Sequence, residues 1–156
     1  MADPTRKRVV VTGLGVVTPL GQGIGTFWEN LSSGQCGIGQ VTMFDTGGYA
    51  CTIAGEVRDF DPTPAFPSPK EVRRTDRFTQ LGMMAGWEAL NDSGLDFDRV
   101  NRDRVGAFIG SGIGGLSTLE NQHKTLLERG PGRMSPFFIP MMIINMASGM
   151  FSLYHG

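Results

Sequence analysis

A glycine-rich loop in the middle of the chain limits which folds the chain can adopt. Residues 105–115 begin as an apolar run typical of a strand and end in Gly110, Gly112 and Gly115, which fit the spacing G-x-G-x-x-G. Helical periodicity starts directly afterwards, at Leu116. A glycine turn between a strand and a helix lets the backbone approach an anion or a neighbouring segment closely. The loop therefore predicts an α/β unit and raises two interpretations, a nucleotide site and a tight turn required by packing.

Two details of the sequence favour the packing interpretation. A dinucleotide site needs an acidic residue roughly twenty positions beyond the loop to bind the ribose, and no acidic residue follows Gly130. A second glycine pair, Gly13 and Gly15, lacks the third glycine that the fingerprint requires, because Thr18 stands at that position. We therefore expect both glycine segments to be structural turns.

Short apolar segments alternate with amphipathic ones along the chain. The strands are predicted at 8–12, 52–57 and 104–109. The helices are predicted at 27–32, from Ser68 onward, at 78–93, at 116–129 and at 141–154. Three capping boxes are predicted to start helices, formed by Thr26 with Glu29, Ser68 with Glu71, and Ser117 with Glu120. This alternation predicts the α/β class with an at least partly parallel sheet.

Composition excludes several classes of function. The 156 residues are 40% hydrophobic and 19% charged, which is typical of one globular domain. The net charge of -1 favours neither nucleic acid nor an anionic membrane as a partner. No segment reaches the ~18 apolar residues of a membrane span, and the N-terminus lacks a signal-peptide core. Cys36 and Cys51 have no metal-ligand spacing. We expect a soluble, cytoplasmic protein without a metal site.

A group of basic residues is the main charged feature. Lys70, Arg73, Arg74 and Arg77 follow the spacing i, i+3, i+4 and i+7, so they share one face if the helix begun at Ser68 continues. The face is either a solvated helix surface or a docking site for an acidic partner.

Two apolar segments close the chain. Ser135 to Pro140 reads Ser-Pro-Phe-Phe-Ile-Pro, and the prolines are predicted to hold Phe137 and Phe138 in extended geometry. These rings belong either to the core or to a pocket wall or subunit contact. Residues 141–154 are apolar around most of a helix and predict a helix buried on several sides. One small domain would leave part of that surface exposed.

Four segments together identify a family resemblance. Residues 9–21, 110–116, 135–140 and 145–149, in that order, resemble the β-ketoacyl-acyl-carrier-protein synthases, most closely the synthase II type. The resemblance implies a thiolase-like fold in which two similar α/β halves pack as five alternating layers, α/β/α/β/α, and form a homodimer. Residues 1–156 then correspond to the N-terminal synthase domain, incomplete at its C-terminal end.

The resemblance also implies a reaction. The family elongates fatty acids by decarboxylative Claisen condensation of an acyl thioester with malonyl-carrier, using one cysteine and two histidines. Substrates arrive on the phosphopantetheine of acyl carrier protein, and no bound cofactor is expected. None of Cys36, Cys51, His123 and His155 matches those catalytic positions. We therefore expect no catalytic residue in this chain and no activity from the chain alone.

Binding residues follow from the resemblance position by position. Gly112 and Ile113 match the acyl pocket and its gate, while Phe138 and Ile139 match residues that reach the pocket across the dimer interface. Lys70, Arg73 and Arg74 match basic positions that contact the acidic carrier protein. Two alternatives remain, a non-catalytic module that binds the carrier or a partner subunit, and a nucleotide-binding oxidoreductase domain.

Overall fold

The computed structural model describes residues 7–155, which form a mixed arrangement of helices and short strands. The helices are α1 (Ile24–Ser32), α2 (Pro69–Val72), α3 (Arg77–Ser93), α4 (Leu116–Arg129), α5 (Phe138–Met142) and α6 (Met146–His155). The strands are β1 (Val17–Thr18), β2 (Gly21–Gln22), β3 (Ile38–Gln40) and β4 (Ile53–Gly55). Single 3-10 turns occur at Thr63–Ala65, Arg102–Arg104 and Pro131–Arg133. Within residues 7–155, no helix combines the length and apolarity needed to cross a membrane.

Helix α3 is the centre of the core. Its Met83 is completely buried, and Met84 beside it packs with Met150 of α6 and with Phe66. Burying a methionine side chain contributes about 2 kcal/mol of hydrophobic free energy. The flexible thioether suits the irregular space between packed helices. The packing of α3 against α6 therefore joins the C-terminal helix of the described chain to its central helix.

The strands form two separate antiparallel hairpins. β1 pairs with β2, and β3 pairs with β4 in the register Ile38 to Gly55, Gly39 to Ala54 and Gln40 to Ile53. The predicted strand at 52–57 is thus confirmed as the shorter β4. The predicted partly parallel sheet is wrong for residues 7–155, where the ladders join neighbouring strands only.

The two other predicted strands, at 8–12 and 104–109, are also wrong, because these segments do not pair with a strand of the described chain. Side chains accept backbone N–H bonds in both regions. Leu14 donates to Asp92 at 2.8 Å and Ile109 donates to Ser148 Oγ at 2.9 Å. The apolar side chains that suggested strands remain in solvent, with Val9 95% exposed and Phe108 completely exposed.

Helix ends are fixed differently from the predicted capping boxes. Helix α1 starts at Ile24, and the Ile24 N–H donates to Glu88 Oε1 of α3 at 2.7 Å. Helix α4 follows Gly115, and Asp76 accepts the N–H of its Thr118 at 3.0 Å. Ser68 does precede α2, but its side chain makes no cap bond. All three boxes are therefore wrong as hydrogen-bonded caps, because carboxylates distant in sequence satisfy the first turns of α1 and α4.

The predicted helix over 141–154 is two helices. Ile143 is extended, with ψ 138°, and ends α5. The carbonyl of Met142 accepts the N–H of Gly115 at 2.9 Å, which removes an acceptor that a continuous helix would use. Only one face of α6 is buried, since Ala147 and Met150 lie inside while Leu153 is 76% exposed. The expected exposure of apolar surface on this last helix is confirmed.

The second hairpin is closed by one carboxylate. Glu56 follows β4 and accepts hydrogen bonds from the backbone N–H groups of Thr42 at 2.9 Å and Met43 at 3.1 Å, and from the Thr42 hydroxyl at 2.9 Å. Arg58 forms an ion pair with it at 3.2 Å. These donors, with the Thr42 backbone bond contributing most, lower the pKa of Glu56 from 4.5 to about 2.

We expect Glu88→Ala to lower the free energy of unfolding by about 2 kcal/mol, because it leaves the partly buried N–H groups of Val16 and Ile24 without acceptors. Urea titration monitored by circular dichroism measures the change. Glu120→Ala is the matched control, since Glu120 is exposed on α4 and such a site shifts stability by no more than about 0.5 kcal/mol. Equal effects of the two substitutions would refute this account of the α1 N-terminus.

Glu56 also predicts a pH dependence. A carboxyl whose pKa is lower in the folded state stabilises the fold above its ordinary pKa of 4.5, and this contribution disappears as the pH falls towards 2. The melting temperature of the wild-type chain should therefore exceed that of Glu56→Gln at pH 6, and the gap should close between pH 4.5 and 2. Glu120→Gln is the control. A gap between wild type and Glu56→Gln that stays constant over this range would contradict the prediction.

Candidate functional site

The glycine loop packs against the end of α5. Gly114 adopts φ +84°, a left-handed conformation that favours glycine. A Cβ at Gly114 would overlap the carbonyl oxygen of Met142, and one at Gly115 would overlap that of Met141. By contrast, a Cβ at Gly110 or Gly112 would meet open space. Two glycines are thus required by close backbone packing.

The N-terminus of α4, where a nucleotide phosphate would bind, is already occupied. The Asp76 carboxylate is only 7% exposed and accepts from both the N–H and the hydroxyl of Thr118, at 3.0 and 2.6 Å. The N–H of Gly114 donates to Ser111 Oγ at 3.0 Å. A second anion at this helix end would be repelled by the buried carboxylate. The geometry therefore supports a structural turn and opposes a phosphate site.

Ile113 borders an apolar cavity between the loop, α4 and the end of α5. The cavity measures about 440 Å³, and Leu116, Leu119, Met142 and Ile144 contribute to its wall. Ile113 itself is 70% exposed, and Gly112 beside it is also exposed. An apolar chain could occupy this space by burying surface that now faces solvent.

Phe138 and Ile139 lie on the first turn of α5 and do not line the Ile113 cavity. Phe138 is half-buried and Ile139 is 53% exposed. The predicted extended geometry of the two rings is wrong, because Phe137 has φ -89° and ψ 4° and Phe138 is already helical. Pro140 falls in the first turn of α5, where a proline is compatible with a helix. Their place in an acyl pocket remains a prediction that needs a second subunit.

The four basic residues do not share one helix face. Helix α2 ends at Val72, and α3 begins at Arg77 after Asp76, whose ψ of 161° interrupts the helix. Arg77 turns away, donating to the Val57 carbonyl and lying 5.3 Å from the centre of the Phe60 ring. Lys70 and Arg73 are exposed. The predicted docking residues therefore separate into two exposed cations and Arg74, whose guanidinium contacts other side chains of the chain.

A polar cavity that the sequence did not predict lies between the two hairpins and α1. It measures about 330 Å³, and its wall includes Gln22, Asn30, Gln35, Cys36, Glu56 and Arg58. Both cysteines are free and exposed. Residues 7–155 contain no cluster of three or more His, Cys, Asp or Glu that could hold a metal ion.

The two histidines lie on different helices, His123 on α4 and His155 at the end of α6. His155 Nε2 is buried and has no hydrogen-bond partner within residues 7–155, and this burial lowers the pKa of His155. Its ring packs against the Phe151 ring at a tilt of 47°, with centroids 4.5 Å apart. His123 lies on α4, whose N-terminus Asp76 holds. The candidate binding features within residues 7–155 are thus the apolar cavity beside Ile113 and the exposed cations Lys70 and Arg73.

Comparison with known proteins identifies the family of the chain. The model of the β-ketoacyl synthase N-terminal domain matches residues 6–156. The chain belongs to the β-ketoacyl synthase family. The relatives named 3-oxoacyl-[acyl-carrier-protein] synthase 2 include one from Synechocystis, 49% identical over 100% of this chain, and one from Coxiella burnetii, 48% identical over 95%. The chain spans only 37% and 36% of their lengths.

Solved ketosynthase structures confirm the predicted thiolase-like fold. One is a type II polyketide ketosynthase in complex with its acyl-carrier protein, with a TM-score of 0.80 and 28% identity. The match covers 97% of the present chain and 41% of the polyketide ketosynthase chain. The ishigamide ketosynthase/chain length factor gives a TM-score of 0.77 at 27% identity, over 96% of this chain and 37% of that one. The synthase resemblance derived from the four segments is therefore correct.

The loop geometry generates a matched pair of substitutions. Gly115→Ala should lower the free energy of unfolding by about 2 kcal/mol, because its Cβ forces the backbone of α5 to move. Gly112→Ala should leave stability within about 0.5 kcal/mol of wild type, because its Cβ enters open space. Chemical denaturation measures both. A larger loss for Gly112→Ala than for Gly115→Ala would contradict the packing role of the loop.

Proposed function

We propose that this chain is the N-terminal part of a 3-oxoacyl-acyl-carrier-protein synthase of fatty-acid elongation. The observation that carries the proposal is the match of residues 6–156 to the β-ketoacyl synthase N-terminal domain, together with relatives of 48–49% identity that bear that name. The exposed cations Lys70 and Arg73 and the apolar cavity beside Ile113 suit a protein that receives an acyl chain from an acidic carrier.

In the proposed reaction, decarboxylation of malonyl-carrier releases CO2 and generates a carbanion. The carbanion attacks the acyl thioester carbonyl, and the cysteine thiolate of the synthase leaves. This chain would contribute binding surfaces, with Gly112 and Ile113 at the acyl pocket. The catalytic cysteine and the two catalytic histidines of the family match no position of this chain. We therefore propose that the chain alone is inactive.

We further propose that the complete synthase is a cytoplasmic homodimer that takes phosphopantetheine-linked substrates and needs no resident cofactor. The separation of Phe138 and Ile139 from the Ile113 cavity within one chain supports a pocket completed by a second subunit. The exposed surface of 11178 Å² fits a chain that packs against further protein, which includes the rest of the synthase as well as a second subunit. A compact monomer of 16.9 kDa exposes about 7,700 Å².

A chimera tests the proposed activity directly. This chain would replace the matched 37% of the Synechocystis synthase, and the chimera would receive acyl-carrier and malonyl-carrier protein. We expect 3-oxoacyl-carrier and CO2 from the chimera and neither product from the 156-residue chain alone. A folded chimera that binds the carrier but forms no product would favour the non-catalytic carrier-binding module.

The docking surface predicts a charge-dependent interaction. Lys70→Glu combined with Arg73→Glu should weaken binding of an acidic acyl carrier protein at least about tenfold, because two attractions become repulsions. Calorimetry at low salt measures the affinity. Arg99→Glu is the control, since Arg99 is exposed beyond the C-terminal end of α3, a helix roughly 25 Å long. Equal weakening by both variants would show that carrier binding reflects total charge only.

A further inference from the structure

Arg74 differs from the two exposed cations beside it. Its Nη1 donates to Glu71 Oε1 at 3.0 Å, and its side chain is 34% exposed. The guanidinium carbon also lies 4.7 Å from the centre of the Phe137 ring. A guanidinium pairs with a carboxylate and stacks on an aromatic face at the same time because it is planar. The guanidinium of Arg74 therefore already has two partners within the chain, Glu71 and Phe137.

Glu71, the partner of Arg74, is anchored from the opposite side. Its Oε2 accepts from the Tyr154 hydroxyl at 3.4 Å, the long end of the hydrogen-bond range. Tyr154 belongs to α6 and packs edge to face on Phe66, with ring centroids 6.1 Å apart. Burial and the negative charge of Glu71 raise the pKa of Tyr154. Glu71 thus links α2 to the core.

Phe137 controls the start of α5. It is the residue that precedes the helix, and its carbonyl accepts the N–H of Met141 at 2.9 Å. Its own N–H donates to Ser135 Oγ at 3.1 Å, and the Ser135 N–H donates to Gln122 of α4 at 2.7 Å. Phe138 and Ile139 follow directly in the first turn. A displacement of Phe137 therefore also moves Phe138 and Ile139, the two residues matched to the acyl pocket.

From these contacts we infer that Arg74 is a positioning residue. Together with Glu71 it clamps Phe137 and so fixes the first turn of α5 relative to the docking surface of α2. The exposed Lys70 and Arg73 would contact the carrier. Arg74 instead holds α2 in a fixed position relative to the turn of Phe138 and Ile139. The carrier part of this inference rests on the proposed function, while the clamp itself does not.

Two measurements on each variant of the chain separate these roles. The first is the affinity for an acidic acyl carrier protein by calorimetry at low salt. The second is amide hydrogen exchange of Met141 and Ile143, whose N–H groups bond within α5. Arg74→Gln and Phe137→Leu should speed this exchange about fivefold, which corresponds to the loss of about 1 kcal/mol from the clamp, and should change carrier affinity less than about twofold. Arg73→Gln should weaken carrier binding about fivefold and leave the exchange rates unchanged.

Arg74→Lys distinguishes the clamp from simple charge. The substitution keeps the positive charge but removes the planar group that pairs and stacks together. We expect fast α5 exchange in Arg74→Lys with carrier affinity like that of wild type. Slow exchange in all Arg74 variants, with carrier binding weakened as much as by Arg73→Gln, would overturn the inference. Absence of carrier binding by the wild type would refute the proposed docking alone, because the exchange measurement still tests the clamp.

Discussion

The described structure depends on one buried carboxylate. Asp76 precedes α3 and accepts the N–H of Phe78 at 3.3 Å, and its second oxygen accepts the N–H and hydroxyl of Thr118 on α4. A buried charge is costly without partners, but here two helix N-termini with positive partial charge surround it. The carboxylate ties the N-terminal end of α3 to that of α4. The glycine loop leads directly into α4, packs against the end of α5 and borders the apolar cavity of Ile113.

The same principle recurs along α3. Glu88 and Asp92 lie four residues apart on this helix, and they accept N–H groups of Val16, Ile24 and Leu14. Helix α3 therefore supplies acceptors to the N-terminal segment and to the start of α1, and its N-cap Asp76 supplies them to the start of α4. The methionine core on another part of α3 adds hydrophobic packing. These polar contacts join segments that are distant in sequence and so position the candidate binding surfaces.

Sequence patterns predicted the parts of this fold that depend on local physics. Helices α3 and α4 followed from apolar periodicity, and their ends at Gly94 and Gly130 have the positive φ angles that glycine permits. The starts of α1 and α4 were not predictable in this way, because their acceptors are 64 and 42 residues away. The strand-like segments at 8–12 and 104–109 had the composition of strands but found no strand partner within residues 7–155. The apolar pattern of a segment does not show whether another strand lies beside it.

The candidate site also has features that local sequence predicts and features that depend on tertiary contacts. The family and the exposed cations Lys70 and Arg73 followed from motifs, since motif residues are local in sequence. The internal use of Arg74 depends on Glu71, Phe137 and Tyr154, which three separate elements bring together. None of the three predicted capping boxes includes Asp76. Its bond to Thr118 required the tertiary structure.

A double-mutant cycle between Asp76 and Thr118 tests the central role of the carboxylate most directly. The free energies of unfolding of wild type, Asp76→Ala, Thr118→Val and the double variant would be measured by urea titration. The account predicts a coupling energy of at least about 1.5 kcal/mol. Each single substitution already removes the charged, buried hydrogen bond between the two side chains, so the double variant loses no further bond. Additive effects within about 0.5 kcal/mol would show that Asp76 does not hold α4.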